Sequence, residues 1–330
     1  MNLKSIIAGF LTLLLTATAL GQTTGINLEG YDYPFREQKF QLPDSSLSMT
    51  YMLVEPTGTP SGRTAVLLHG KNFNGAYWES TANLLASQGF RVLIPDQIGF
   101  GKSSKPIDYS YTFAQLVSNT RALVQEVKLG KVTVIGHSMG GMLAMHWALL
   151  APEDMEQLIL LNPIGLEDWN AKGVPYRGID GWYSRELKTT AEAIIAYQKN
   201  FYYDGKWNPR YARWANLLAA PLSSPDYPRL ARVQALTTAM IVSQPVAHRF
   251  DQIQVPTTLI LGLRDRTALD KDLAPPAVAQ ELGRYDRLGE EVRSQIPNAR
   301  LIPLDDLGHL PQVEDFPRFE KALLDSLNSL

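Results

Sequence analysis

The chain has 330 residues, 45% of them hydrophobic and 19% charged, with a formal net charge of −2. That balance excludes intrinsic disorder, and it supplies neither the basic field that nucleic acid needs nor an acidic tail for a cationic partner. There are no cysteines, so neither a disulfide scaffold nor lipid attachment through a thiol is available, and stability must come from the core.

At the N-terminus, Lys4 precedes an apolar run from Ile6 to Leu15, followed by small residues including Ala19 and Gly21 ahead of Gln22. This is the pattern of a secretory signal peptide over residues 1–21. The run is short for a membrane span of about 20 residues. The expectation is therefore export, with cleavage near Gly21, a periplasmic or secreted product, and no stable membrane insertion afterwards.

Beyond the leader, "QKFQLPDSSLSMTYMLVEP" predicts two strands joined by a turn at Pro43 to Ser46, the second alternating Leu47, Met49, Tyr51 and Leu53. "TAVLLHG", "RVLIPDQIG", "KVTVIGHS", "EQLILLNP", "TTLILGLRD" and "ARLIPLDDLGH" are short, continuously apolar runs of the kind that form buried parallel strands. Helical patterns alternate with them. In "YTFAQLVSNTRALVQEVKLG", Phe113, Leu116, Val117, Thr120, Leu123, Val124 and Val127 share one face, and Gly130 is placed to close the helix. The alternation predicts a doubly wound α/β core over 22–163 and 251–330. A mostly helical insertion, 164–250, interrupts it and holds Trp169, Trp182, Trp207 and Trp214, four of the six tryptophans.

The string Gly136-His-Ser138-Met-Gly140 follows the strand pattern "KVTVI" and opens the helix pattern "MGGMLAMHWALL". Strand, sharp turn and helix is the context a nucleophile elbow requires. Glycines at 136 and 140 would relieve crowding in that turn, and the helix behind Ser138 would aim its free N–H groups at an oxyanion.

On "LLHGKNFNGAYW", "IPDQIGFGKSSKP", "VIGHSMGG", "LILGLRDRT" and "LDDLGHLPQVEDFPRF", the chain resembles the α/β-hydrolase superfamily over nearly all its length after the leader. The resemblance implies the α/β-hydrolase fold, a mostly parallel doubly wound sheet with a helical cap inserted before the acid-bearing strand. It also implies a triad in the order Ser, acid, His. Relatives with an aspartate nucleophile, such as haloalkane dehalogenases and epoxide hydrolases, share the first two motifs, but position 138 is serine, which points to acyl transfer.

Among the five histidines, His309 follows the last apolar run and reaches the C-terminal edge of the sheet on a loop, making it the candidate general base. His137 and His146 read as structural, His248 ends the insertion, and His69 falls near the oxyanion loop. Asp265, after "TTLILGLR", is the candidate acid, with Glu167 and Asp168 after the preceding strand as the alternatives; Asp305 and Asp306 lie too near His309 in the chain. Backbone N–H groups of Met139 and, by the family's spacing, Lys71 are the expected oxyanion donors. Asn72, Asn74, Trp169 and Trp182 are pocket candidates, and Asp96 and Gly99 are expected to brace the turn beneath the site.

"GFGKSS" is not a phosphate loop, because the first glycine of that motif would fall on Asp96. No His-x-x-x-His pair or acidic calcium loop is present, so no metal or cofactor is expected. The expected activity is hydrolysis of an ester, or a related amide or lactone, in a small molecule with an apolar part. Cofactor-independent peroxidases, carbon–carbon bond hydrolases and prolyl aminopeptidases share the triad and are the alternatives, followed by a noncatalytic ligand-binding member of the fold.

Overall fold

Eight strands form one sheet in the computed structural model, which describes residues 25–328; the expected leader lies outside them. They are β1 Glu37–Gln41, β2 Ser48–Val54, β3 Thr64–Leu68, β4 Arg91–Pro95, β5 Val132–His137, β6 Met155–Leu161, β7 Thr257–Gly262 and β8 Arg300–Leu304. Their order is β1-β2-β4-β3-β5-β6-β7-β8, with β2 antiparallel to both neighbours and the rest parallel. Crossover helices cover both faces, so the inner strands bury alternate residues in opposite layers. Val66 and Leu68 enter one apolar cluster, and Ala65 and Leu67 the other. Each such leucine contributes roughly 2 kcal/mol by leaving water, which is why these strands read as unbroken apolar runs.

The helices are α1 Glu79–Ser87, α2 Phe113–Glu126, α3 Met139–Leu150, α4 Ile179–Glu186, α5 Ala191–Tyr197, α6 Pro209–Ala219, α7 Tyr227–Ser243, α8 Pro276–Glu281, α9 Tyr285–Gln295, α10 Pro311–Glu314 and α11 Phe316–Leu327. Side chains of α2, α3 and α9 join the cluster on one face of the sheet, and those of α1 and α11 the cluster on the other. Helices α4 to α7 come from the insertion between β6 and β7, and a single π turn, Gln198–Tyr202, follows α5. Among the described residues no helix is long and apolar enough to cross a membrane.

Three local expectations are corrected. β2 buries Thr50, Met52 and Val54 as well as Met49 and Tyr51, because it lies inside the sheet between β1 and β4 with protein on both faces. β8 has only Leu304 fully buried, since it is the edge strand. Helix α2 starts where expected, with the Thr112 hydroxyl accepting from Gln115 N at 3.0 Å. It ends earlier than Gly130: Lys128 takes the left-handed conformation, φ 55°, and donates its N–H to Gln125 O.

Candidate active site

Ser138 stands between β5 and α3 with φ 56° and ψ −120°, in a region that disfavours residues with a Cβ. The turn is held because the Ser138 carbonyl accepts from the N–H groups of Gly141, Met142 and Ile164, while its own N–H donates to Leu161 O. The neighbouring glycines are steric requirements. A Cβ at Gly136 would overlap the Gly140 carbonyl, and one at Gly140 would overlap the Leu68 carbonyl. The strain at Ser138 is thus over-determined by its surroundings.

His309 arrives on the loop between β8 and α10, and its Nε2 lies 3.0 Å from Ser138 Oγ. Its Nδ1 lies 2.6 Å from Asp265 Oδ2 and 3.2 Å from Thr267 Oγ1. Asp265, on the loop after β7, is fully buried, and its other oxygen accepts from Thr267 N at 2.8 Å. Burial pushes the Asp265 carboxyl up, but the His309 ring and the Thr267 donors outweigh it and hold the group below the ordinary carboxylate value. Asp265 is therefore a carboxylate at neutral pH, able to orient the imidazole.

The two loops are cross-bonded. Arg264 donates from Nε to Asp306 O at 3.1 Å and pairs with Glu314, whose other oxygen accepts from Gly308 N at 2.7 Å. The alternative acids are spent elsewhere: Glu167 accepts from Trp169 Nε1, Gly283 N and Lys172 Nζ, and Asp168 accepts from Ala171 N. Asp305, Asp306 and His248 are exposed. His146 stacks on Phe113 and bonds to Gln244 O.

Gly70 closes the other side of Ser138, so near that a Cβ on it would lie 3.0 Å from Ser138 Cβ. The backbone N–H groups of Lys71 and Met139 donate to no acceptor among the described residues, and Met139 N–H heads α3, where the helix dipole adds positive potential. The Lys71 side chain turns to the insertion, with Nζ 2.8 Å from Gln234 Oε1 on α7 and 3.6 Å from Glu186 on α4.

Of the pocket candidates, Asn74 caps the turn Gly75–Trp78, and Asn72 donates to Tyr202 OH at 3.1 Å. Both, with Lys71, line a cavity of about 60 Å³ that runs on between Phe100, Trp214, Leu217 and Leu230. The two tryptophan candidates belong to the apolar cluster that also takes Met139, Met142 and Ile164. Trp169 and Trp182 are buried, and their indole N–H groups are held by Glu167 and by Asp270. A buried indole N–H needs an acceptor, and these two carboxylates supply it. Tyr202 meets the site directly, stacked on the His309 ring with centroids 4.6 Å apart.

Asp96 holds the loops beneath the site, accepting from Gly75 N, Tyr33 OH and Lys102 N, and Gly99 has φ 97°. His69 accepts from Gln97 N at Nε2 and reaches Gly70 O with Nδ1. Asn162, Thr267, Tyr202 and Glu314 are site residues not expected from the sequence. The string "LLNP" carries a signal for the first, since a polar residue ends an apolar strand just before proline.

A family model described as alpha/beta hydrolase fold matches residues 65–316. A crystal structure of a probable hydrolytic enzyme from Pseudomonas aeruginosa PAO1 is 45% identical, covers 93% of this chain and 99% of its own, and superposes with a TM-score of 0.89. Lipase 3 of Moraxella sp. (strain TA144) is 27% identical over 332 residues, covering 95% of each chain. Lipase 1 of Psychrobacter immobilis is 26% identical over 290 residues, covering 85% of this chain and 82% of the lipase.

Proposed function

The chain belongs to the alpha/beta hydrolase family and is a hydrolase, and from that premise we propose that it is an exported serine hydrolase cleaving an ester, or a related amide or lactone, through an acyl-enzyme. The observation that carries this reading is the unbroken line Ser138 Oγ, His309 Nε2, His309 Nδ1, Asp265 Oδ2, with spacings of 3.0 and 2.6 Å. Export rests on the leader pattern of residues 1–21.

As Ser138 Oγ attacks the substrate carbonyl carbon, His309 Nε2 takes the hydroxyl proton, and Asp265 stabilises the imidazolium and fixes the proton on Nδ1. The carbonyl oxygen becomes an oxyanion facing the N–H groups of Lys71 and Met139. His309 then returns its proton to the leaving alcohol, amine or lactone oxygen, and the carbonyl re-forms as an ester of Ser138. In the second half, His309 takes a proton from water as the water attacks that ester, and gives it back to Ser138 Oγ when the acid departs.

The apolar part of the substrate is supported by the aromatic surface around His309, where Tyr202 and Phe73 pack together, and by the two lipases among the relatives. A fluorophosphonate that labels wild type and not Ser138→Ala, together with turnover in a screen of acyl esters of graded length, aminoacyl amides and lactones, is the expected result. Absence of labelling in folded wild type would instead mark a noncatalytic binding protein.

A further inference from the structure

His137, which precedes the nucleophile, is fully buried between the oxyanion loop and the His309 loop. Its Nε2 lies 2.7 Å from the backbone carbonyl of His309. A carbonyl only accepts, so Nε2 carries the proton and Nδ1 does not. Nδ1 lies 3.0 Å from Tyr77 OH, which must therefore donate to it. The Tyr77 oxygen in turn accepts from Gly70 N at 3.2 Å. Burial, and then the neighbouring His309, push His137 well below the ordinary histidine value, and burial pushes the Tyr77 hydroxyl well above the tyrosine value, so each stays neutral. Every donor and acceptor has one direction.

We infer that Tyr77 and His137 are positioning residues for the reaction proposed above, forming one hydrogen-bond chain that holds the oxyanion loop at Gly70 and the backbone of His309 in a single frame around Ser138. The chain runs Gly70 N–H to Tyr77 Oη, Tyr77 O–H to His137 Nδ1, His137 Nε2–H to His309 O. Gly70 leads directly into Lys71, so the same chain sets one proposed oxyanion donor and the general base. Among the described residues neither side chain, Tyr77 or His137, bonds to Ser138 Oγ, His309 Nε2 or Asp265. The inference rests on Ser138 being the nucleophile.

Tyr77→Phe keeps the ring stacked on Phe73, 4.8 Å away, and removes only the hydroxyl. A catalytic group displaced by about 1 Å loses about a hundredfold in rate. The expected result for Tyr77→Phe is a loss of about tenfold to a hundredfold in kcat for an activated ester and in fluorophosphonate labelling rate, with KM within about twofold. His137→Leu should lose as much, and His137→Gln, whose amide N–H can reach the His309 carbonyl, should recover part of it. The double variant Tyr77→Phe/His137→Leu should be no slower than His137→Leu alone, since the two act as one unit. An unaltered labelling rate in folded Tyr77→Phe overturns the inference, as do multiplicative losses in the double variant or a Gln variant no better than Leu. If the His137 variants do not fold, Tyr77→Phe decides alone. Wild type that fails to label overturns the nucleophile itself, whereas wild type that labels no faster than Tyr77→Phe overturns only the chain.

Discussion

Asn162, at the end of β6, donates its side-chain amide to Asp265 Oδ2 at 2.9 Å, the same oxygen that holds the His309 ring. Asn162 is fixed in turn by φ 37° and by two bonds to Gly262, its Nδ2 reaching the carbonyl and its Oδ1 accepting from the N–H. Asp265 is thus surrounded by donors: Asn162 Nδ2, His309 Nδ1 and Thr267 N. Only a group that accepts on both oxygens satisfies all three. In Asp265→Asn either orientation of the amide sets a donor against a donor, so kcat should fall by up to about ten-thousandfold, read in steady-state kinetics. Glu167→Gln, by contrast, should keep kcat within a few-fold and lower the melting temperature, because among the described residues that carboxylate holds Trp169, Lys172 and Gly283. A large kcat loss in Glu167→Gln with little in Asp265→Asn would reverse the assignment of the acid.

Ser138→Ala should abolish turnover while leaving the unfolding midpoint close to wild type. Among the described residues the hydroxyl bonds only to His309, whereas the turn is held by backbone groups that alanine retains. Urea unfolding and an ester assay on one preparation test both halves, and turnover near wild type would remove Ser138 from the mechanism.

Gly140→Ala and Gly130→Ala separate crowding from strain. At Gly140 the added Cβ would run into the β3 backbone, which has no rotamer to escape through, so stability should fall by about 1–3 kcal/mol or more, with activity falling as the elbow shifts. At Gly130, φ 71° with nothing within 4 Å of the new atom, only the left-handed conformation is costly, at about 1–2 kcal/mol, and activity should be unchanged. Equal losses of activity at both positions would contradict the steric account of the elbow.

Acid should weaken the fold through His146. Burial pushes this histidine down to about 4 from 6.5 despite its bond to Gln244 O. Between those values the unfolded chain binds a proton that the folded chain does not, so stability is full above pH 6.5 and is lost as pH falls toward 4. At pH 5 the loss amounts to about 2 kcal/mol. In His146→Gln, which keeps a donor for Gln244 O, urea midpoints at pH 7 and pH 5 should lie closer together than in wild type. An unchanged gap would show that His146 does not carry this part of the acid sensitivity.

The layer structure was legible because burying a strand on both faces forces an unbroken apolar run, and six such runs separated by helices leave few topologies. The same rule explains the misreadings: β2 looked half-buried because Thr50 is polar, though the Ser103 hydroxyl bonds its N–H and its own hydroxyl reaches Lys102 O. Ser138, Asp265 and His309 could be placed because each follows a strand and so reaches one edge of the sheet. Tyr202 could not, since its role arises from contact with a ring distant in the sequence that no local pattern encodes, and at Asn162 the string "LLNP" marks the strand end but not the bond to Asp265. For Trp169 and Trp182, aromatic content suggests a pocket wall, but it does not encode the carboxylates of Glu167 and Asp270 that fix both indoles.

Tyr202 lays its ring on His309, bonds Asn72 through its hydroxyl, and presses its backbone carbonyl where any Cβ at position 308 would have to go. Insertion and core therefore cannot be recombined as independent modules. A chimera that takes the region 164–250 from another hydrolase must bring a backbone of the same path opposite Gly308, or keep 202 and 308 from one parent. Directed evolution of substrate range in this scaffold would accordingly gain by randomising α4 and α7 while leaving the π turn Gln198–Tyr202 untouched.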